Sequence, residues 1–166
     1  MQAETSLEKA IEKYPMDAEL RSIVATRRIS EGRIEVAQAL LDNTPTTIDH
    51  PELHIVEGRL HLARADRLRD GTGETDQILL GSAIKSFEAA LELNRELGVA
   101  WLGLARTQRL MRNLDEAGES LTRARRLLGE TDSPCSIEAA MLAIDNNDIH
   151  AASRYIDAAE IQGSSE

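Results

Sequence analysis

Two histidines and a glutamate form the first set of residues whose types and spacing could do chemistry. His54, Glu57 and His61 fall at i, i+3 and i+7, so on a helix they share one face and could offer two imidazoles and a carboxylate to a metal ion. His50 is a fourth candidate ligand. The competing interpretation, which we favour, is that these are polar residues on a partly exposed helix. The sequence therefore predicts no metal site and no cofactor.

The single cysteine and one glycine-containing segment are the other candidate reactive features. Cys135 lies near a predicted helix start, where the helix dipole favours a thiolate, but no histidine is near it in sequence and a buried or incidental thiol is favoured. Residues 70–76 lack the Gly-Lys-Ser/Thr ending of a phosphate loop and the spacing of a calcium loop. Motifs for serine or zinc hydrolases are also missing from the sequence. We predict that the chain is not an enzyme.

Composition and charge limit the class of protein further. The 166 residues, enough for one domain, are 42% apolar but only 2% aromatic, which favours closely packed aliphatic helices. The formal net charge of −10 argues against nucleic acids and membrane surfaces as partners. No apolar run approaches the roughly 18 residues of a membrane span, and the N-terminus has no signal-like pattern. We expect a cytoplasmic protein, or a periplasmic one if an export signal was removed.

Self-similarity at a fixed period organises the chain. Three apolar positions recur at an offset of 34 residues (83 to 117), namely Ala83, Phe87 and Ala90 as Ala117, Leu121 and Ala124. Helical periodicity and turn residues predict nine helices, with Ser133 as the N-cap of the eighth. The predicted helices span residues 4–14, 17–30, 33–43, 51–69, 76–93, 98–111, 114–128, 134–146 and 149–161.

This period and its residues resemble the tetratricopeptide repeat, or TPR, a helix-turn-helix unit of 34 residues. Residues 98–131 give the strongest match, with Trp101, Leu104 and Ala105 in the first helix and Gln108 in place of the expected tyrosine. The resemblance implies an all-α, right-handed superhelix of about four helical hairpins plus one N-terminal helix. Residues 1–166 then form one domain, with a lone helix at 4–14 and repeats at about 17–44, 51–94, 98–131 and 134–162.

The second repeat is longer than the others. The offset from Ala37 to Ala83 is 46 residues instead of 34, which places 12 extra residues near 64–80. We favour a lengthened helix pair joined by a flexible turn over a ligand-binding loop.

In TPR proteins the first helix of each hairpin lines a concave groove, and the resemblance implies such a groove here. Guanidinium groups near its middle could bind a carboxylate bidentately, which favours an acidic peptide or a free C-terminus as the partner. The alternative, that these arginines balance neighbouring acidic residues, stays open. The predicted groove residues are Arg59, Leu62, Val99, Leu102, Arg106, Arg109, Leu110 and Met141.

The expected function is a non-catalytic scaffold or adaptor that binds a protein or peptide partner. Two alternatives remain. The chain could be a self-associating or structural segment of a longer TPR protein, because neither end carries a polar capping element. It could also be a docking domain attached to a separate catalytic domain.

Overall fold

The computed structural model describes residues 9–45, 47–72 and 76–163, and α-helix is the regular secondary structure of these ranges. The predicted all-α fold class is confirmed, and each of the nine predicted helices overlaps an observed one; residues 4–8 lie outside the described residues. The helices are α1 (described at 9–13), α2 (Ala18–Ser30), α3 (Ile34–Asp42), α4 (Pro51–Thr72), α5 (Gln77–Leu93), α6 (Gly98–Leu110), α7 (Leu114–Leu128), α8 (Ser133–Asp145) and α9 (Ile149–Gly163). No described helix is long and apolar enough to cross a bilayer.

Consecutive helices pack as four hairpins, α2 with α3, α4 with α5, α6 with α7, and α8 with α9. The residue contacts divide the chain into two compact units, unit 1 (Met1–Leu93) and unit 2 (Asn94–Glu166). Within unit 1, α4 also packs on α2 and α3; within unit 2, α8 packs on α6 and α7. Each unit therefore repeats one arrangement, in which a helix lies on the hairpin that precedes it.

Small residues at the repeated positions allow this packing. Ala83, Phe87 and Ala90 in unit 1 are fully buried, and Ala117, Leu121 and Ala124 in unit 2 are at most 5% exposed. Alanine at these sites lets two helix backbones approach closely, and the larger side chain between the alanines fills the remaining space. The 34-residue repetition seen in the sequence thus corresponds to one repeated packing site.

Three of the hairpins reverse direction through the same backbone turn. Gly32, Arg112 and Asn147 each adopt a positive φ, of 72°, 67° and 61°. The N–H of the following residue then donates to a carbonyl five residues back, which closes the end of the first helix. These hydrogen bonds run from Arg33 to Arg28 (2.8 Å), Asn113 to Gln108 (2.9 Å) and Asp148 to Ala143 (2.8 Å).

The start of α8 differs from the sequence prediction by one residue. Asp132 is the N-cap, because its carboxylate accepts a hydrogen bond from the backbone N–H of Cys135 at 3.0 Å. Ser133 and Pro134 consequently occupy the first turn, where the missing N–H of proline removes no helical hydrogen bond. The prediction of Ser133 as the N-cap is wrong.

The α4–α5 hairpin is the longest of the four. Its helices have 22 and 17 residues, compared with 13 and 15 in the α6–α7 hairpin. The additional residues of this repeat therefore extend the helices on both sides of the connection. Residues 73–75, where a flexible turn or a ligand loop was considered, lie outside the described residues.

Candidate functional site

Arg59 lies on α4 with its guanidinium partly buried and without a salt bridge or hydrogen bond to any described residue. Burial lowers the pKa of this guanidinium, and the charge of Glu52 acts weakly in the opposite direction. An arginine nevertheless stays protonated at neutral pH. Arg59 therefore holds a positive charge that its own unit leaves largely uncompensated.

Leu62, the other predicted groove residue of unit 1, is 6% exposed. Its side chain belongs to the packed interior of the fold and offers little surface to a partner. Of the two predicted residues in this unit, only Arg59 presents a functional group that is reachable from solvent.

Arg109 in unit 2 has a different environment. Its Nε donates to Glu138 and its Nη1 donates to Asp145 Oδ2 at 3.0 Å. Burial disfavours the charged guanidinium, but Glu138 and Asp145 outweigh it and raise the pKa of Arg109. Arg112 also donates to Asp145. Arg109 joins α6 to α8 within the fold, as the alternative interpretation of charge balance described.

The remaining predicted residues of unit 2 lie on α6 and α8 with graded exposure. Arg106 and Met141 are exposed, whereas Val99, Leu102 and Leu110 are partly exposed. Leu102 packs against the core under α8. The structure thus brings Arg106, Arg109 and their apolar neighbours together on the hairpin that receives α8.

The histidines form internal contacts. His54 Nε2 lies 2.8 Å from Asp49 Oδ1, and its Nδ1 lies 3.2 Å from Glu57 Oε2. Burial acts to lower the pKa of His54, but the two carboxylates outweigh it and raise that pKa. His61 has a buried Nδ1 without a hydrogen-bond partner among the described residues, and burial together with Arg64 lowers its pKa. No three metal-binding side chains converge anywhere in the described ranges.

Cys135 is fully buried in unit 2 against Ala105, Leu121 and Ala139. Burial raises the pKa of its thiol to about 12, and Asp132 adds to the effect. The proximity of the helix start, which by itself favours a thiolate, is outweighed. The side chain acts as a small core residue.

One cleft was not predicted from the sequence. It has a volume of about 570 Å³ and lies between α3 and α4. Two contacts between the helices line it, from Arg67 Nη1 to Glu35 Oε1 at 2.7 Å and from Arg64 Nη1 to Gln38 Oε1 at 3.1 Å. The α4 residues of this cleft fall within the extra length of the second repeat, which is the sequence signal that could have indicated it.

Comparisons with known proteins establish the fold. No protein-family model matches the chain, and no curated protein matches its sequence. A thermophilic TPR protein from Thermus thermophilus superposes with a TM-score of 0.81 at 18% identity, covering 98% of this chain and 82% of the other. PilW, a type IV pilus biogenesis factor, gives 0.68 at 17% over 99% and 70%, and MamA gives 0.65 at 14% over 95% and 85%. The chain has a TPR fold over nearly its whole length.

Proposed function

We propose that this chain is a non-catalytic protein-interaction module that binds an acidic segment or free C-terminus of a partner protein, with Arg59 contacting the carboxylate. TPR folds generally present helical surfaces for protein partners, and the neighbouring structures support this class. The observation that carries the proposal is the charge of Arg59, which is partly buried and has no ion pair within the described residues.

The physical argument concerns the cost of burying a charge. Partial burial removes water from the guanidinium, and this cost is normally offset by an ion pair or hydrogen bonds. Arg109 shows the usual solution, with Glu138 and Asp145 as its partners. A carboxylate that docks on Arg59 would supply the missing compensation and form a charge-assisted, bidentate hydrogen bond.

The charge distribution of the chain is compatible with such a ligand only locally. With a formal net charge of −10, the chain repels acidic peptides at long range, so the contact must depend on a specific cation and must weaken with added salt. We therefore place recognition at Arg59, and not on the general surface of the chain.

The proposal is tested by selecting ligands from a displayed library of peptides with free C-termini and measuring affinities by titration calorimetry. Selected peptides should carry Asp, Glu or an essential terminal carboxylate. Arg59→Gln should weaken binding about tenfold or more, the loss expected for one hydrogen bond to a charged group. Arg64→Gln, on the same helix but bonded to Gln38, is the matched control. Equal affinities for the wild type and Arg59→Gln would exclude Arg59 as the binding residue.

A further inference from the structure

Four large aliphatic side chains form an exposed surface on the last hairpin, which we call the C-terminal patch. Ile137, Met141 and Ile144 on α8 are 55%, 43% and 48% exposed, and Ile156 on α9 is 45% exposed. They line a cleft of about 370 Å³ between the two helices, together with Ser133, Ala140 and Ala159. None of these residues is charged.

The same face of the preceding hairpin is covered by a helix. The helices of the α8–α9 hairpin begin 35 residues after those of the α6–α7 hairpin (98 to 133 and 114 to 149). At this offset Ala140, Ile156 and Ala159 correspond to Ala105, Leu121 and Ala124. The latter three are at most 5% exposed and form a core with Cys135 and Ala139 of α8. The C-terminal patch is thus a copy of a helix-binding face, and no described helix covers it.

The chemistry of this copy has changed at one position. Ile144 stands at the place of Arg109, which binds Glu138 and Asp145 of α8. A helix that carries acidic groups at those points would find no cation at the C-terminal patch. The face therefore selects an apolar helix surface, such as the stripe of Ile137, Met141 and Ile144 on α8 itself.

Charge points to a second copy as the occupant. Two copies with a formal charge of −10 each repel one another, so they can pair only through a face without charge. A two-fold axis would place α8 of one copy against the α8–α9 cleft of the other, and such self-complementary pairs are the commonest oligomers. We propose that the C-terminal patch is the two-fold interface of a homodimer of this chain.

The first test is sedimentation equilibrium of the full 166-residue chain over a wide range of concentrations, from micromolar to millimolar. We expect a reversible dimer whose dissociation constant rises at least tenfold in Met141→Glu and Ile144→Glu, because each buries a charge at the interface. Ile78→Glu is the matched control, since Ile78 is 81% exposed on α5 of unit 1. A wild-type monomer at every concentration, or a dimer equally stable in all variants, overturns the proposal.

A second measurement does not depend on the folding of the glutamate variants. Cys135 is fully buried, so Met141→Cys introduces the only thiol that is accessible in the folded chain. Mild oxidation should convert Met141→Cys into a disulfide-linked dimer, while Ile78→Cys should stay monomeric on a non-reducing gel. Equal cross-linking of the two variants contradicts a dimer through the C-terminal patch.

Discussion

The ring of Phe87 lies against the backbone of Gly58. A Cβ atom built on Gly58 would be 2.7 Å from both Cε1 and Cζ of Phe87, well inside van der Waals contact. Phe87 is the only phenylalanine of the chain and is fully buried. The α4–α5 hairpin is thus fixed by one large ring that fits only where the opposite helix has no side chain.

This contact predicts that Gly58→Ala destabilises the fold. The added methyl group forces Phe87 or the helices to move, which typically costs about 1–3 kcal/mol in a packed core. Urea denaturation followed by circular dichroism measures the change. Gly81→Ala on α5 is the control, because its Cβ would meet no atom within 4 Å and helix propensity alone should stabilise that variant by up to about 1 kcal/mol. A stabilised Gly58→Ala would contradict the close contact.

The buried ion pair of unit 2 gives a second prediction. Glu138→Gln removes the charge that compensates Arg109, and loss of one member of a buried pair costs about 3 kcal/mol or more. The midpoint of thermal unfolding should fall clearly. Glu35→Gln should leave stability nearly unchanged, since Glu35 and Arg67 form an exposed pair with 77% and 64% side-chain exposure. Similar losses for the two variants would mean that burial is not what makes the pair of Arg109 important.

The two histidines of α4 predict opposite effects of pH on stability. The pKa of His54 is raised by its carboxylate partners, so its stabilising contribution is complete below the unfolded pKa of about 6.5 and is lost as pH rises through the folded pKa. The pKa of His61 is lowered by burial, so its contribution is present above about pH 6.5 and is lost as pH falls.

Single substitutions separate these contributions. The stability difference between the wild type and His54→Gln should decrease as pH rises from about 5.5 to about 8, and the difference for His61→Gln should increase over the same range. Urea unfolding at several pH values measures both slopes, and NMR titration of the imidazoles locates the pKa values. Slopes of the same sign would show that one of the two environments is wrong.

The thiol of Cys135 should be protected in the folded state. With its pKa raised to about 12, only about one thiol in ten thousand is ionised at pH 8, and burial excludes the reagent as well. Labelling with a thiol-specific chromogenic reagent should be slower by about a thousandfold than for an exposed cysteine. In Ile78→Cys one thiol should react at once and the other only in urea; rapid reaction of both would contradict the buried site.

The helices and the repeated core could be predicted from the sequence because both depend on local spacing. Ala117, Leu121 and Ala124 repeat the pattern of the preceding unit, and a helical period of apolar residues places them on one face. Such patterns need no knowledge of distant contacts. The overlap of every predicted helix with an observed one follows from this.

The environments of the arginines could not be predicted in the same way. The contacts of Arg109 join residues that are 29 and 36 positions apart and depend on how α8 lies on α6. Arg59 and Arg109 look alike in sequence, yet one has two carboxylate partners and the other has none among the described residues. Only three-dimensional placement distinguishes an arginine that holds the fold together from one that is available for binding.

The turn shared by three hairpins explains how such a chain tolerates change. Glycine, arginine and asparagine occupy its left-handed position, so the chain reversal depends on a backbone conformation that several residue types reach at different cost. Substitutions can therefore accumulate at the corners while the spacing of the helices is retained. Architecture of this kind can persist through evolutionary drift long after the letters of its repeats have ceased to match.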